Sequence, residues 1–166
     1  GYSAFDDCRA LTEINVANEN AYYCSVDGVL FDKERKTLIQ YPIGNSRTGY
    51  QIPPDVIEIG SSSFCGCKNL SSIIIPNGVT LIGDDAFKEC LSLTEISIPE
   101  SVNAIGLWAF TYCNNLASIN VSPENSKYRS VDGVLFDKNM NELIQYPIGN
   151  RLTSYTIPSN VICRNY

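Results

Sequence analysis

The apolar positions of this chain follow a period of 23 residues between Ile52 and Val121. Within each period the same positions hold a phenylalanine, a cysteine, a leucine and an isoleucine. The aligned sets are Phe64, Phe87 and Phe110; Cys67, Cys90 and Cys113; Leu70, Leu93 and Leu116; and Ile73, Ile96 and Ile119. A fixed period of this length is typical of a solenoid in which each unit forms one coil. A single coil cannot bury these side chains alone, so they are expected to stack on their equivalents in the next coil.

Two short elements are predicted within each unit. In the stretch 93–98 apolar and polar residues alternate, which predicts a strand with one buried face, and Pro99 ends it because proline has no N–H for a ladder. The stretch 84–90 predicts a single helical turn, because Phe87 and Cys90 are three residues apart on one face. Asp84 and Asp85 would then lie at the start of that turn, where carboxylates favour the helix dipole.

Residues 17–51 and 122–156 break the period, and we call them the first and second islands. Both islands contain the sequence Ser-Val-Asp-Gly-Val-Leu-Phe-Asp-Lys and, further on, Leu-Ile-Gln-Tyr-Pro-Ile-Gly-Asn. The two copies are offset by 105 residues, so the chain holds about one and a half copies of a longer repeat. Each island is predicted to form a longer coil with a protruding β-hairpin.

The hairpin turns are predicted at the polar residues 33–36 and 138–141, which separate strand-like runs. The Asp-Gly pairs at Asp27 and Asp132 are interpreted as turns or bulges. They are poor candidates for calcium sites, because one carboxylate falls far short of the roughly six to eight oxygens that calcium takes.

Units of the form Ile-Pro-x-x-Val-x-x-Ile-Gly-x-x-Ala-Phe-x-x-Cys-x-x-Leu-x-x-Ile-x resemble the BspA-type leucine-rich repeats of bacterial surface antigens. The resemblance covers nearly the whole chain and departs from the pattern at Ser122, where proline is expected after Val121. It implies an α/β leucine-rich-repeat solenoid, horseshoe-like and strand-dominated, with short helical turns and two protruding β-hairpins. It also implies a cell-surface or secreted protein that takes part in adhesion or host interaction, without identifying the ligand.

Residues 1–166 are expected to form one solenoid domain, with regular coils over 52–121 and hairpin-bearing coils over 17–51 and 122–156. Both termini fall within a repeat, so the chain is expected to be a fragment of a longer array. An uncapped coil edge is apolar, which favours end-to-end self-association unless a terminal segment covers that edge.

The charge balance narrows the range of partners. The formal net charge is −6 and the pI is about 4.6, which argues against nucleic acid. No apolar run approaches the length of a membrane span, so membrane insertion is not expected. The chain has no histidine and no evident pairing of a nucleophile with a base. We therefore expect no enzyme activity, no catalytic residue, no cofactor and no metal site.

Four of the seven cysteines share one position of the repeat, namely Cys8, Cys67, Cys90 and Cys113. Stacking would place them on neighbouring coils, where parallel side chains have poor disulfide geometry. A column of buried free thiols is therefore expected. Cys67, Cys90 and Cys113 are predicted to be reduced and buried.

Two surfaces are candidates for partner binding. The first is the outward side of the predicted strand ladder, which is flat, rich in hydroxyl groups and nearly uncharged; its candidate residues are Ser72, Ile74, Glu95, Ser97, Ser118 and Asn120. The alternative is that these side chains only keep a parallel ladder soluble. The island tyrosines are expected mostly to pack the hairpins onto the coils.

The second surface consists of Leu107, Trp108 and Tyr112, which occupy the positions of Asp84, Asp85 and Glu89 one coil earlier. Carboxylates must face water, so this trio is predicted to be exposed and to bind a partner. The alternative is that the second island folds back over the trio.

The function predicted from these observations is a non-enzymatic protein-binding or adhesion module whose partner is an extracellular-matrix or host-surface protein. The alternatives are a module that binds glycan or cell wall and a passive structural spacer.

Overall fold

The computed structural model describes residues 4–5 and 7–162 and contains thirteen short strands. Their bounds are β1 Tyr23–Val26, β2 Val29–Asp32, β3 Thr37–Gln40, β4 Gly49–Gln51, β5 Glu58–Ile59, β6 Ser72–Ile74, β7 Leu81–Ile82, β8 Glu95–Ile98, β9 Ala104–Ile105, β10 Ser118–Val121, β11 Tyr128–Val131, β12 Val134–Asp137 and β13 Leu143–Gln145. No helix occurs in this described part, so no helical segment there could cross a bilayer.

Three regular coils, residues 52–74, 75–97 and 98–120, form the centre of a strand-dominated solenoid. Each coil contributes a strand to each of two parallel ladders. One ladder contains β5, β7 and β9, which are in register at intervals of 23 residues, with Glu58 opposite Leu81 and Leu81 opposite Ala104. In the other, β4 pairs with β6, β6 lies beside β8, and β8 pairs with β10. We call the outward side of this second ladder the strand face.

Each island folds as a three-stranded antiparallel meander, β1–β2–β3 in the first and β11–β12–β13 in the second. The connections at residues 33–36 and 138–141 join the second and third strands of each meander, as the sequence predicts. A second, tighter turn precedes each of them at Asp27–Gly28 and at Asp132–Gly133, where both residues have positive φ. These values suit the two-residue turn of a β-hairpin.

The prediction that the hairpins protrude is wrong. The middle strands β2 and β12 are buried, and Phe31 and Phe136 are inaccessible to solvent. β3 pairs in parallel with β5, so the first meander extends the sheet of the regular coils. The apolar Val-Leu-Phe triplets explain this packing, because exposing both of them would leave a large apolar surface in water.

The predicted helical turns are also wrong: the corresponding segments are non-helical turns. In the second coil, the N–H groups of Asp85, Phe87 and Glu89 donate to carbonyl oxygens of the third coil at 2.8–2.9 Å. The intervening N–H groups bond locally, as Lys88 does to Asp85. Asp85 and Glu89 have φ of 53° and 59°, which a right-handed helix excludes. Every second amide is therefore used to join coils instead of closing a helix.

The core contains a column of aromatic rings along the solenoid. The rings of Phe64 and Phe87 stack with centroids 5.2 Å apart, and those of Phe87 and Phe110 with centroids 5.6 Å apart. Tyr41 of the first island extends the column, with its ring centroid 5.3 Å from that of Phe64. Tyr41 therefore takes the place of the repeat phenylalanine, which agrees with the packing role expected for most island tyrosines, whereas Tyr22 and Tyr23 are exposed.

The cysteine column is buried at Cys67, Cys90 and Cys113, which are free thiols. The Cys90 thiol donates to the Phe64 carbonyl oxygen at 3.2 Å, and the Cys113 thiol to that of Phe87 at 3.0 Å. The prediction is wrong for Cys8, which is exposed. The next coil along the array is the first island, and it has residues 41–44 in place of the Phe-x-x-Cys turn, so no thiol stacks on Cys8.

Candidate partner-binding surface

Leu107, Trp108 and Tyr112 lie in the non-helical turn of the third coil and form what we call the aromatic patch. They are 42%, 56% and 57% exposed. The buried side chains of the same turn, Ala109 and Phe110, alternate with them and anchor the turn in the core. The three patch residues therefore point away from a rigid support, so an apolar surface is held open to solvent.

The backbone makes the aromatic patch unusual. Trp108 and Tyr112 have φ of 56° and 59°, in the left-handed region. Asp85 and Glu89 hold the same two positions in the second coil, and Ser62 and Gly66 hold them in the first. Bulky side chains are disfavoured there, at a cost on the order of 1 kcal/mol each. Residues retained in spite of such strain often serve a function.

The second coil places carboxylates beside the aromatic patch. Asp84 is exposed, and its Oδ1 accepts a hydrogen bond from the N–H of Leu107 at 2.7 Å. Asp85 forms an ion pair with Lys88 at 3.1 Å. The pKa of Lys88 is raised, chiefly by its hydrogen bond with Asp85. These carboxylates therefore cap the next coil and pair with a lysine, and do not start a helix as predicted.

The charge changes sharply from one coil to the next. The second coil carries four carboxylates, of Asp84, Asp85, Glu89 and Glu95, and a single lysine. The third coil has no charged residue between Glu100 and Glu124. A coil whose one charged residue is Glu100, and which has exposed aromatic side chains, therefore lies directly against an acidic coil.

The second island does not cover the aromatic patch. The segment of the second island around Gly149 packs on a later part of the third coil, against the backbone of Asn115 and Leu116. Asp7 holds the position of Tyr112 in the first copy of the 105-residue repeat, and it is exposed although an island and a further coil follow it there. Tyr112 and Asp7 are thus both exposed, whereas Glu89 at the same position of the second coil is half-buried.

The strand face presents most of its candidate residues to solvent. Ser72, Ile74, Glu95, Ser97 and Asn120 are exposed, and Ile74 is the one large apolar side chain among them, at 58%. Ser118 is half-buried because Gly133, at the tip of the second meander, packs against it. The strand face and the aromatic patch lie on different stretches of the coil, so the structure does not bring the two candidate sets together.

A cavity of about 980 Å³ lies beside the first island. Asn20 and Tyr23 line it, and their equivalents in the second island are Asn125 and Tyr128. Asn125 bonds to the carbonyl oxygen of Val102, and the hydroxyl of Tyr128 accepts a hydrogen bond from the N–H of Ile105. Two residues that line the cavity are thus equivalent to residues of the second island that contact a neighbouring coil.

The described residues offer no cluster of metal ligands, and the thiol of Cys67 is unreactive. No group of three carboxylate or cysteine side chains within residues 4–5 and 7–162 could hold a metal ion. Burial raises the pKa of the Cys67 thiol well above its usual value. A thiol in this state is a poor nucleophile, because the thiolate is the reactive form.

Sequence comparison connects this architecture to known proteins. The profile described as "BspA type Leucine rich repeat region" matches six copies within residues 44–161. No curated protein sequence matches the chain significantly.

Solved structures share the fold. A leucine-rich repeat protein from Eubacterium ventriosum is 34% identical, with a TM-score of 0.67 over 69% of this chain. The pneumococcal vaccine antigen PcpA is 28% identical, with a TM-score of 0.67 over 71% of this chain. A leucine-rich cell surface protein from Faecalibacterium prausnitzii is 33% identical, with a TM-score of 0.62 over 68% of this chain. The chain spans only 31%, 30% and 30% of these three structures, respectively.

Proposed function

The chain belongs to the BspA-type leucine-rich repeat family, and on that premise we propose that it is a non-enzymatic protein-binding module of a cell-surface or secreted bacterial protein. Two of its structural relatives support this location: one is described as a vaccine antigen and another as a cell surface protein. The buried cluster that runs from Val29 to Leu135 supports one continuous solenoid domain.

The aromatic patch carries the proposal. Trp108 and Tyr112 are more than half exposed, and they hold strained backbone positions that the preceding coil gives to Asp85 and Glu89. Neighbouring exposed apolar side chains often mark a site of contact with another molecule, and Trp and Tyr are favoured anchors of protein interfaces. The strand face is the weaker candidate, because Ile74 is its only large apolar side chain in the described part of the chain.

The test is binding of the chain to immobilised extracellular-matrix proteins, with a glycan array in parallel. Trp108→Ala should weaken protein binding by more than about 1 kcal/mol while thermal stability hardly changes. The matched control is Ser97→Ala on the strand face, which should leave binding unchanged. A loss of several kcal/mol of stability in Trp108→Ala, as for a buried tryptophan, would contradict the assignment.

A glycan- or cell-wall-binding role is the second candidate, and Tyr22 and Tyr23 favour it. They are 76% and 45% exposed on the first island. The second island has Lys127 where the first has Tyr22. Tyr22→Lys therefore places a residue that the fold already accepts, and a loss of glycan binding in this variant would support the second candidate. A chain that binds neither proteins nor glycans would support the passive spacer.

A further inference from the structure

We propose that the partner of the aromatic patch is an extended polypeptide segment in which an aliphatic or aromatic residue and a lysine or arginine lie two positions apart. This inference rests on the protein-binding function proposed above and specifies the chemistry of its partner. It follows from the change in side-chain type at three equivalent positions along the three regular coils.

The three positions of the turn change in character along the array. The first coil has Ser61, Ser62 and Gly66; the second has Asp84, Asp85 and Glu89; the third has Leu107, Trp108 and Tyr112. Backbone hydrogen bonds join these turns directly: the N–H of Ser62 donates to the carbonyl oxygen of Asp84, and the N–H of Asp85 donates to the carbonyl oxygen of Leu107. The surface therefore passes from small to acidic to aromatic side chains within two coil spacings, about 10 Å in all.

The carboxylates of the second coil are accessible to a partner. Asp85 is engaged by Lys88, but Asp84 is exposed, and no cation pairs with it in the described residues. Glu89 likewise has no ion pair in that part of the chain. Two carboxylates therefore lie one coil away from Trp108 outside any ion pair of the described residues, although the charge of Glu89 helps to raise the pKa of Lys88. A partner with a basic side chain at this place would gain charge complementarity, whereas an acidic one would be repelled.

The coil spacing favours a two-residue step in the partner, because i and i+2 are the nearest side chains that share a face of an extended peptide. Neighbouring coils are about 4.8 Å apart, and side chains at i and i+2 of an extended peptide lie on one face about 6.6 Å apart. A peptide running along the solenoid axis can thus place an apolar side chain on Trp108 and Tyr112, and a lysine or arginine two residues later against Asp84 and Glu89. The small residues of the first coil leave room for the peptide to continue.

Two fluorescein-labelled peptides test the inference: one repeats Leu-Ser-Lys and the other repeats Leu-Ser-Glu at the same length. Binding is measured by fluorescence anisotropy on the whole chain. The lysine peptide should bind at least about tenfold more tightly than the glutamate peptide, and its affinity should fall as salt rises from about 0.05 M to about 0.5 M. Equal affinities, or preference for the glutamate peptide, would overturn the inference.

Two variants with residues that the fold already tolerates complete the test. Trp108→Asp has the residue of the second coil at the same backbone conformation, and it should weaken binding of the lysine peptide by at least about tenfold. The double variant D84N/E89Q removes two charges but retains Oδ1 of residue 84 as acceptor for Leu107. It should abolish the difference between the peptides. If the difference persists in D84N/E89Q, the inference is wrong.

The proposed function can fail separately. If Trp108→Ala still reduces capture of extracellular-matrix proteins while the two peptides bind equally, only the partner chemistry is refuted. If neither the proteins nor the peptides depend on Trp108, the proposed function is refuted as well. Each variant should keep the circular dichroism spectrum of the parent chain and should not melt at a lower temperature, because exposed side chains contribute little to stability.

Discussion

The side-chain amide nitrogen of Asn125 donates a hydrogen bond to the carbonyl oxygen of Val102 at 2.9 Å, and so joins the second island to the third coil. The same nitrogen donates to Pro99 at 2.8 Å, and Oδ1 accepts from the N–H groups of Lys127 and Tyr128 at 2.8 Å. Asn125 is fully buried, and all four of its side-chain hydrogen-bonding sites are used.

Asn125→Ala is expected to lower the free energy of unfolding by about 2–4 kcal/mol, because it leaves several buried backbone groups without partners. Asn20 is the matched control. Its Oδ1 accepts from Tyr22 and Tyr23, but its amide nitrogen has no partner among the described residues. Asn20→Ala should cost about 1 kcal/mol. Urea unfolding measures both values, and equal losses would contradict the role of Asn125.

Tyr41→Phe is expected to stabilise the protein by about 1 kcal/mol, because the buried hydroxyl of Tyr41 has no hydrogen-bond partner in the described structure. Phenylalanine would continue the aromatic column of the regular coils. Tyr155→Phe, at the equivalent of Tyr50 in the second island, is the control and should change stability by less than about 0.5 kcal/mol. A destabilised Tyr41→Phe would show that the hydroxyl is engaged.

Alkaline unfolding gives an independent check on Tyr41. Burial raises its pKa from 10.0 to about 12 in the folded state. The unfolded chain therefore loses this proton first, and the contribution of Tyr41 to stability is complete below pH 10.0 and is lost as the pH rises through about 12. In Tyr41→Phe this part of the alkaline loss should be absent. Urea midpoints measured across this range in both proteins test the difference.

Tyr112→Gly is expected to raise the free energy of unfolding by up to about 1 kcal/mol, because glycine adopts positive φ without the clash of a Cβ atom. The adjacent Thr111 does not have positive φ. Thr111→Gly should therefore destabilise by about 0.5–1 kcal/mol. If Tyr112→Gly is stabilised and loses partner binding, the strain at this position serves binding and not folding. If both variants were destabilised equally, the backbone of Tyr112 would not be strained.

Alkylation of the native protein should modify Cys8 rapidly and leave Cys67, Cys90 and Cys113 unmodified until denaturant is added. Cys8 is exposed, whereas the other three are buried. The pKa of Cys90 is raised by its interaction with the Cys113 thiol and by burial, which lowers its thiolate fraction further. Peptide mapping by mass spectrometry identifies the modified sites. A bridge between Cys67 and Cys90 would contradict the column of free thiols.

The sequence predicted the features that depend on repetition. The period of Phe64 and Phe87 predicts stacking, and stacking is what the rings show. The prediction of a helical turn is wrong because a three-residue spacing fits both a helix and the non-helical turn of the structure. Only the neighbouring coil decides between them, because it accepts the amides of Asp85 and Phe87. Local propensity cannot include a partner 22 residues away.

The exposure of Trp108 was predictable because the preceding coil offered Asp85 as a comparison. The role of Asn125 was not predictable, because Asn20 has the same identity and the same local turn. The hydrogen bonds of Asn125 to Pro99 and Val102 depend on the coil that lies against it, and such contacts are a property of the assembled array. The tight turn at Asp132–Gly133 was predicted, but its packing on Ser118 required the fold.

The alternating amides of the turns have a mechanical consequence. Neighbouring coils are joined at the strands and again at the turn, where Asp85, Phe87 and Glu89 bond to the next coil. Two rows of hydrogen bonds on separate sides of a coil resist rotation of that coil relative to its neighbour. The solenoid should therefore be stiff in torsion. Trp108 and the strand face would keep a fixed angle to each other under load, so a partner that contacts both must match that angle.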